Sequence, residues 1–272
     1  MRGSEGPVIE SLKDSVRAYW NAEPCGTRGI AGPDRRAYFD SIERERYATE
    51  PYIPSFARFD RARGRRLLEI GVGAGTDFVN WVRGGAIATG VDLTEQGVRL
   101  TRERVEGEGL HAHLEQADAE SLPFKPDSFD FVYSFGVLHH SPDTPKTIGE
   151  VHRVLRPGGT AVIMLYHCYG WVGLTLWAAK LRPWKSPRWA IAQSLESPDT
   201  KSYTVSETRA LFNAFTDVKI RRVLSSGDLL LMPPSSKWPK AFASVVWKLY
   251  PRWLVRLLGD RFGTNILIEA KK

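Results

Sequence analysis

The sequence is short of cysteine and of long apolar runs. Only two cysteines occur among its 272 residues, Cys25 and Cys168, and neither belongs to a CxxC or Cys/His pattern. This argues against a disulfide framework and gives no reason to expect a bound metal. No stretch approaches the roughly 20 consecutive apolar residues that cross a bilayer, and the N-terminus lacks the charged head, apolar run and cleavage site of a secretory signal. We therefore expect a cytoplasmic protein with reduced thiols.

Charge is distributed unevenly along the chain. Residues 161–272 contain 17 Lys and Arg against 7 Asp and Glu, so this part carries a net charge of +10, while residues 1–160 carry −3. Seven of the nine tryptophans fall in the basic part; they are Trp171, Trp177, Trp184, Trp189, Trp238, Trp247 and Trp253. Cationic and aromatic side chains together are typical of an interface.

The order of apolar patterns predicts an α/β fold. Helical spacing appears first, over 8–22, 35–48 and a segment starting near Pro51. From Arg66 onward short apolar strands alternate with amphipathic helices, as in parallel βαβ units. Strands are predicted at 66–71, 86–92, 111–116, 129–134, 158–166, 217–224 and 265–270, and helices at 76–83, 94–107, 145–155 and 204–215. We predict a doubly wound, mostly parallel, seven-stranded Rossmann-like sheet with N-terminal helices and helical insertions that form a cap.

These elements divide the chain into four predicted parts. They are an N-terminal helical lid over 1–62, a cofactor-binding α/β core over 63–166, a cap insertion over 167–202, and a C-terminal part of the core over 203–272 with a helical insertion at about 228–260.

Two apolar stretches with basic flanks fall in the predicted insertions, at 170–177 and 243–258. Such stretches are suited either to walling a hydrophobic acceptor pocket or to resting on an anionic membrane surface. A lipid-like ligand would account for both, and an ordinary helical cap with core tryptophans is the alternative.

A glycine-rich motif, LLEIGVGAGTD over 67–77, follows the first predicted strand. Its glycines at 71, 73 and 75 make a tight turn that lets the backbone approach a ligand at the carboxyl end of a central strand. Asp92 ends the second strand, where a carboxylate accepts hydrogen bonds from ribose hydroxyls. A dinucleotide fingerprint needs glycine at position 76, which is Thr76, so NAD is the weaker interpretation. Glu69 repels a pyrophosphate and suits an ammonium, which favours S-adenosylmethionine.

Further motifs extend the pattern: Asp118-Ala119 after strand three, FDFV over 129–132, SFGVLHH over 134–140 and LRPGG over 155–159. With these, residues 66–166 resemble the class I S-adenosylmethionine-dependent methyltransferases, especially the small-molecule branch that includes ubiquinone and menaquinone biosynthesis enzymes. The resemblance implies a set of residues that hold S-adenosylmethionine and its product S-adenosylhomocysteine: Glu69, Gly71, Gly73, Gly75, Asp92, Leu93, Asp118, Ala119 and Phe135. Within it, Asp92 matches the ribose-binding acid and Asp118 the acid that reads the adenine amine.

The resemblance also implies a cover over the site, because related enzymes have an N-terminal helix there. We expect Tyr19 and Trp20 to close over the cofactor, with plain packing as the alternative.

The methyl acceptor is expected beyond the carboxyl ends of strands four and five. Methyl transfer from a sulfonium is an in-line displacement at an activated carbon, so the protein mainly aligns the nucleophile and excludes water. A general base is optional, and histidine titrates in the useful range. The candidate catalytic residues are His139, His140, Tyr166 and His167, with His140 and His167 favoured. The expected acceptor is a small, hydrophobic or lipid-like molecule, and its reacting atom stays open between O, N and C.

Three rival functions remain at this stage. One is a nicotinamide-dependent oxidoreductase, which Thr76 disfavours. A second is a nucleic-acid methyltransferase, suggested by the pI near 9.4; base-amine methyltransferases typically share an Asn/Asp-Pro-Pro-aromatic motif, whereas this chain has SFGV over 134–137, so no nucleic-acid partner is expected. The third is a non-catalytic protein that lies on a membrane surface.

Overall fold

The chain begins with three helices that precede the sheet. In the computed structural model, which describes residues 6–231, 248 and 250–272, these helices are α1 (Gly6–Ala22), α2 (Arg35–Thr49) and α3 (Ile53–Ala57). Helix α2 begins after Asp34, whose side chain accepts a hydrogen bond of 2.8 Å from the Ala37 N–H. The cap satisfies one of the N–H groups that the first turn of a helix leaves unpaired.

Seven strands form one sheet in the order β3-β2-β1-β4-β5-β7-β6. Their bounds are β1 (Arg66–Ile70), β2 (Ile87–Asp92), β3 (His113–Gln116), β4 (Phe129–Phe135), β5 (Leu155–Tyr166), β6 (Thr216–Val223) and β7 (Asn265–Lys271). The first five strands pair in parallel. Strand β7 lies antiparallel between β5 and β6. The predicted doubly wound, mostly parallel, seven-stranded sheet is confirmed.

Helices cover both faces of this sheet. The described helices that follow β1 are α4 (Thr76–Arg83), α5 (Glu95–Gly107), α6 (Thr144–Val154), α7 (Trp171–Ala179), α8 (Pro187–Ser194), α9 (Val205–Leu211) and α10 (Arg252–Leu258), with 3-10 turns at Leu138–His140 and Gly259–Phe262. Trp81 of α4 packs with Leu67 on one face, while Val151 of α6 packs with Leu68 on the other. Consecutive strand residues point to opposite faces, and helices cover both faces, so the central strands are largely apolar.

Strand β5 starts earlier than predicted. It begins at Leu155 rather than at 158, and the register between β4 and β5 shifts between Phe129 and Phe131. The Pro-Gly-Gly stretch over 157–159 therefore lies within a strand at an irregular step, where a missing N–H and flexible glycines are tolerated. The predicted start at 158 was therefore three residues too late.

The predicted insertions contain α7, α8 and α10. Trp171 of α7 packs against Phe262, with ring centroids 5.5 Å apart. Trp238, Trp247 and the predicted apolar residues 243–247 lie outside the described residues. Among the helices of the described ranges, none is long and apolar enough to cross a membrane.

Candidate active site

A cavity of about 330 Å³ lies at the carboxyl ends of the central strands. Strands β1 and β4 are neighbours whose connections leave in opposite directions, and this switch point is where open α/β sheets bind ligands. Strand ends contribute Ile70, Asp92 and Phe135, while α1 and α2 contribute Trp20 and Arg46 from the opposite side.

Left-handed backbone shapes the glycine loop between β1 and α4. Gly71, Gly73 and Gly75 have φ values of 83°, 54° and 76°, a region that other residues enter only at a cost. At Gly71 the space is also closed, since a Cβ there would lie 2.3 Å from Cγ2 of Val137. Gly71 and Gly73 line the cavity, whereas Gly75 precedes the first turn of α4.

Asp92 is held in place by the backbone on both sides. Its Oδ2 accepts a 2.9 Å hydrogen bond from the Gly73 N–H, and its Oδ1 accepts from the N–H and hydroxyl of Thr94 at 2.9 and 2.7 Å. A Cβ at Gly97 would lie 2.7 Å from Cγ of Asp92, so the carboxyl also fits closely against α5. Burial raises the pKa of Asp92, which these hydrogen bonds oppose. The result is a fixed acidic group on the cavity wall, where the sequence predicted a ribose partner.

Glu69 is a buried carboxyl group, one oxygen of which has no hydrogen-bond partner among the described residues. It lines the cavity from β1, and that oxygen is its Oε2. Burial and the nearby Asp77 carboxylate raise the pKa of Glu69 well above its usual value. A buried acceptor left unpaired costs about 1–3 kcal/mol, so this position fits the ammonium group of a methionine moiety.

The nearest cation, Arg46, is already engaged by Asp77. Arg46 donates to Asp77 through Nε at 2.9 Å and through Nη2, and the hydroxyls of Tyr47 and Tyr133 donate to the same carboxylate at 3.0 and 2.8 Å. All four groups belong to one buried network. Because Arg46 donates these hydrogen bonds to Asp77, the Oε2 of Glu69 remains available for a ligand.

At the predicted adenine end of the cavity, Asp118 forms an ion pair with Lys13 of helix α1. Asp118, Ala119 and Leu93 line the cavity there. The Asp118 Oδ2 lies 2.7 Å from Nζ of Lys13, which also lies 2.7 Å from Oε2 of Glu120.

Tyr19 and Trp20 of α1 were predicted to close over the cofactor, and one of the two lines the cavity. Trp20 lines the cavity, whereas Tyr19 packs edge-on against Trp20 with centroids 5.0 Å apart and does not line it. Successive residues of a helix point about 100° apart, so only one of the two can face the ligand space.

The opposite end of the cavity carries a polar cluster. His140 Nδ1 lies 2.8 Å from the Ser197 hydroxyl, and His140 Nε2 lies 3.2 Å from Oε2 of Glu196. The Tyr166 hydroxyl donates to the same Glu196 oxygen at 3.0 Å. Trp20 approaches His140 edge-on at 5.2 Å. The structure therefore brings His140 and Tyr166 together, with Glu196 as an unpredicted third member.

The other two candidate histidines lie outside the cavity lining. His139 is fully buried with its ring 4.1 Å from that of Tyr166. The ring Nδ1 of His167 is 3.2 Å from the Gly263 carbonyl oxygen. The backbone N–H of His167 donates a hydrogen bond to the Thr264 carbonyl oxygen at 2.7 Å. His167 follows Tyr166 in an extended segment, so its side chain points to the opposite face.

The predicted site did not include several charged residues of the cavity lining, among them Lys13, Arg46, Asp77 and Glu196. Asp77 had a local signal, since an acid in the first turn of a helix that follows a glycine loop is well placed at the positive end of the helix dipole. The other three reach the cavity from distant segments, so no local spacing marks them.

Comparison with known proteins identifies the class. Residues 68–163 match the family model described as a methyltransferase domain. The chain is 32% identical over 165 residues to phthiotriol/phenolphthiotriol dimycocerosates methyltransferase 1 of Mycobacterium ulcerans, covering 55% of this chain and 59% of that protein. It is 36% identical over 105 residues to phosphatidylethanolamine N-methyltransferase of Cereibacter sphaeroides, covering 38% and 51%.

A solved structure agrees in fold. Haemonchus contortus phosphoethanolamine N-methyltransferase 2, in complex with phosphomonomethylethanolamine and S-adenosylhomocysteine, superposes with a TM-score of 0.58 at 21% identity, over 83% of this chain and 52% of that chain. The matched part of the chain spans from 36% to 59% of the length of the curated relatives.

Fold, glycine loop and family match agree. Residues 68–163 match a methyltransferase domain, and the sheet has the fold of a solved methyltransferase that holds S-adenosylhomocysteine, in agreement with the motifs. None of these similarities points to the nicotinamide or nucleic-acid alternatives.

Proposed function

We propose that the chain transfers a methyl group from S-adenosylmethionine to a small hydrophobic or lipid-like acceptor. The proposal rests on one cavity. Beside the glycine loop its wall includes Glu69, whose Oε2 has no hydrogen-bond partner among the described residues, and at its other end lies the polar cluster around His140. Two relatives whose names specify lipid methylation support the acceptor class.

Each side chain of the cavity has a role in this proposal. Glu69 binds the ammonium of the methionine moiety, Asp92 the ribose hydroxyls and Asp118 the adenine amine. When bound, S-adenosylmethionine supplies an activated methyl group, and S-adenosylhomocysteine remains after transfer. His140 and Tyr166 hold the nucleophilic group of the acceptor in line with that methyl group. Alignment and exclusion of water are the main requirements for such a displacement.

We propose further that the acceptor is taken from an anionic membrane surface. The turn between α7 and α8 exposes 83% of Leu181 and 74% of Trp184. Three cations, Lys180, Arg182 and Lys185, belong to the same segment, and their charged groups lie 5.6 to 5.9 Å from the ring of Trp189. Exposed apolar tips among basic side chains are the pattern of interfacial binding, with each cation near an anionic surface contributing about 1 kcal/mol.

Labelled methyl transfer tests the function. The full chain is incubated with methyl-labelled cofactor and a cell extract separated into lipid-soluble and water-soluble pools. Label in the lipid pool is expected with the wild type and with the surface control Glu106→Gln, and its loss is expected with Glu69→Gln. Label only in the water-soluble pool, or in neither, contradicts the proposal.

Vesicle flotation tests the membrane surface. The wild type should float with vesicles that contain anionic lipid, and the double variant Leu181→Ser, Trp184→Ser should stay in solution. Ile87, which is 61% exposed on β2, offers a matched control as Ile87→Ser. Equal flotation of all three proteins would rule out this surface.

A further inference from the structure

His139 has an unusual environment for a histidine. Its side chain is fully buried, and neither ring nitrogen has a hydrogen-bond partner in the part of the chain that the structure describes. A buried polar atom without a partner costs about 1–3 kcal/mol, and this ring carries two. The ring packs against the ring of Tyr166. This contact buries a face of the imidazole but gives its two nitrogens no hydrogen bond.

His140 adds a third unpaired nitrogen beside the first two. Its Nε2 lies 3.2 Å from Oε2 of Glu196, yet the contact is not aligned as a hydrogen bond, and Nε2 has no other partner among the described residues. On the other side of the ring, Nδ1 lies within hydrogen-bond distance of the Ser197 and Thr200 hydroxyls, at 2.8 and 3.2 Å. Such outer contacts fix the ring orientation of histidines that bind metals through their second nitrogen.

The spacing of the three groups suits a metal ion. One ligand atom from each of His139, His140 and Glu196 lies within 4.8 Å of the other two. With bonds of about 2.0–2.2 Å to zinc, neighbouring ligand atoms of a tetrahedral site are roughly 3.4 Å apart. The pair formed by His140 Nε2 and Glu196 Oε2 already meets this separation, and a small movement of the His139 ring completes the triangle.

We propose that His139, His140 and Glu196 form a zinc-binding site at the acceptor end of the cavity. Two imidazoles and one carboxylate are a donor set of catalytic zinc sites, which keep a fourth position for water or substrate. Because His140 and Glu196 line the cavity, that fourth position faces the space for the acceptor. The site was not predicted from the sequence, because the expectation of no metal rested on cysteine spacing and Glu196 lies more than fifty residues from the histidines.

The site also has a role that rests on the proposed function. A bound divalent cation lowers the pKa of a coordinated hydroxyl or water, so an ion held by His140 would bind an acceptor hydroxyl and ease the loss of its proton. Binding of the metal itself does not depend on that role.

Metal binding is measured on the full chain, stripped with a chelator and then dialysed against Zn²⁺ or Co²⁺. The expected result is one equivalent by elemental mass spectrometry and a visible absorption of bound Co²⁺. His139→Ala and Glu196→Gln should each weaken binding at least tenfold. His113→Ala is the matched control, because His113 and Glu115 form an exposed pair with a 3.3 Å contact on β3, and it should bind like the wild type.

Two results would overturn the site: no retained metal in the wild type, or retention in both variants equal to that in His113→Ala. Glu196 is partly exposed, so Glu196→Gln is expected to fold even if His139→Ala does not. Calorimetry with S-adenosylhomocysteine on the same samples separates the two proposals. Cofactor binding without metal binding refutes the site alone, whereas metal binding without cofactor binding refutes the proposed function alone.

Discussion

Lys13 Nζ lies 2.7 Å from Oδ2 of Asp118 and ties helix α1 to the loop after β3, more than a hundred residues along the chain. The same ammonium contacts Glu120, so two carboxylates hold one lysine. Both Lys13 and Asp118 line the cavity. This contact therefore links α1 to the predicted adenine end of the cavity.

Removing the ion pair of Lys13 with Asp118 should make local opening of helix α1 more frequent. In Lys13→Met, we expect faster amide hydrogen exchange across Gly6–Ala22, because local opening no longer breaks two charge-assisted contacts. Arg17→Met is the control, since Arg17 pairs with Asp14 of the same helix at 2.8 Å on the exposed side. Hydrogen exchange followed by mass spectrometry measures both variants. Equal exchange in Lys13→Met and the wild type would show that α1 is held by packing alone.

The raised pKa of Glu69 predicts a pH dependence of cofactor binding. Burial and Asp77 disfavour the ionised carboxyl, whereas an ammonium ligand requires it. Affinity for S-adenosylhomocysteine should therefore be constant above this raised pKa and fall by about tenfold per pH unit below it. Binding below the pKa should release a proton. Burial also raises the pKa of Asp92, so protonation of Asp92 should weaken binding in the same direction.

Glu69→Gln isolates the contribution of Glu69. It should bind more weakly at neutral pH and lose the upper part of the pH dependence, leaving the part due to Asp92. Calorimetric titrations at several pH values, in two buffers with different ionisation enthalpies, measure affinity and proton release together. An identical pH profile in wild type and variant would contradict the role of Glu69.

Two glycines of the loop should respond differently to alanine. Gly71→Ala places a Cβ 2.3 Å from Cγ2 of Val137 at φ 83°, whereas Gly73→Ala meets only Cβ of Cys25 at 4.0 Å and φ 54°. Each substitution should lower the free energy of unfolding by about 1–2 kcal/mol, because alanine has to adopt a left-handed backbone conformation. Gly71→Ala should lower it further by about 1–3 kcal/mol, because its Cβ overpacks against Val137. Urea unfolding measures the difference. Equal losses of stability would mean that Val137 moves aside.

The buried pair of Arg46 and Asp77 should matter more for stability than surface pairs. Arg46→Met leaves the Asp77 carboxylate buried without its cation, which costs about 3–5 kcal/mol. The double variant Arg46→Met, Asp77→Leu should cost less than the sum of the single changes. Arg58→Met is the control, because Arg58 is 57% exposed beside Glu269 and such pairs contribute about 0–1 kcal/mol. Equal unfolding free energies for Arg46→Met and Arg58→Met would contradict the network.

Local signals account for most of the fold. Apolar runs of strand length and helical spacing predict β1 to β7 in order, because parallel βαβ units repeat the same pattern. The glycine loop likewise predicts Glu69 and Asp92, since both lie at fixed distances from it on two adjacent strands. The start of β5 was predicted three residues too late, because proline and glycines at 157–159 are typical of a turn, whereas here they lie within a strand at an irregular step.

Side-chain direction and long-range contacts account for what the sequence did not predict. Chain position alone placed His167 beside Tyr166, yet the alternation along an extended segment sends them to opposite faces. Lys13, Arg46 and Glu196 reach the cavity from α1, α2 and the segment after α8. Their charges are explained only by partners that are far away in sequence, so no spacing rule could find them.

Calorimetric titration of the wild-type chain with S-adenosylhomocysteine, and separately with NADH, tests the central claim most directly. The account predicts saturable binding of S-adenosylhomocysteine at one site and no heat of binding with NADH. Saturable binding of NADH without binding of S-adenosylhomocysteine would contradict it.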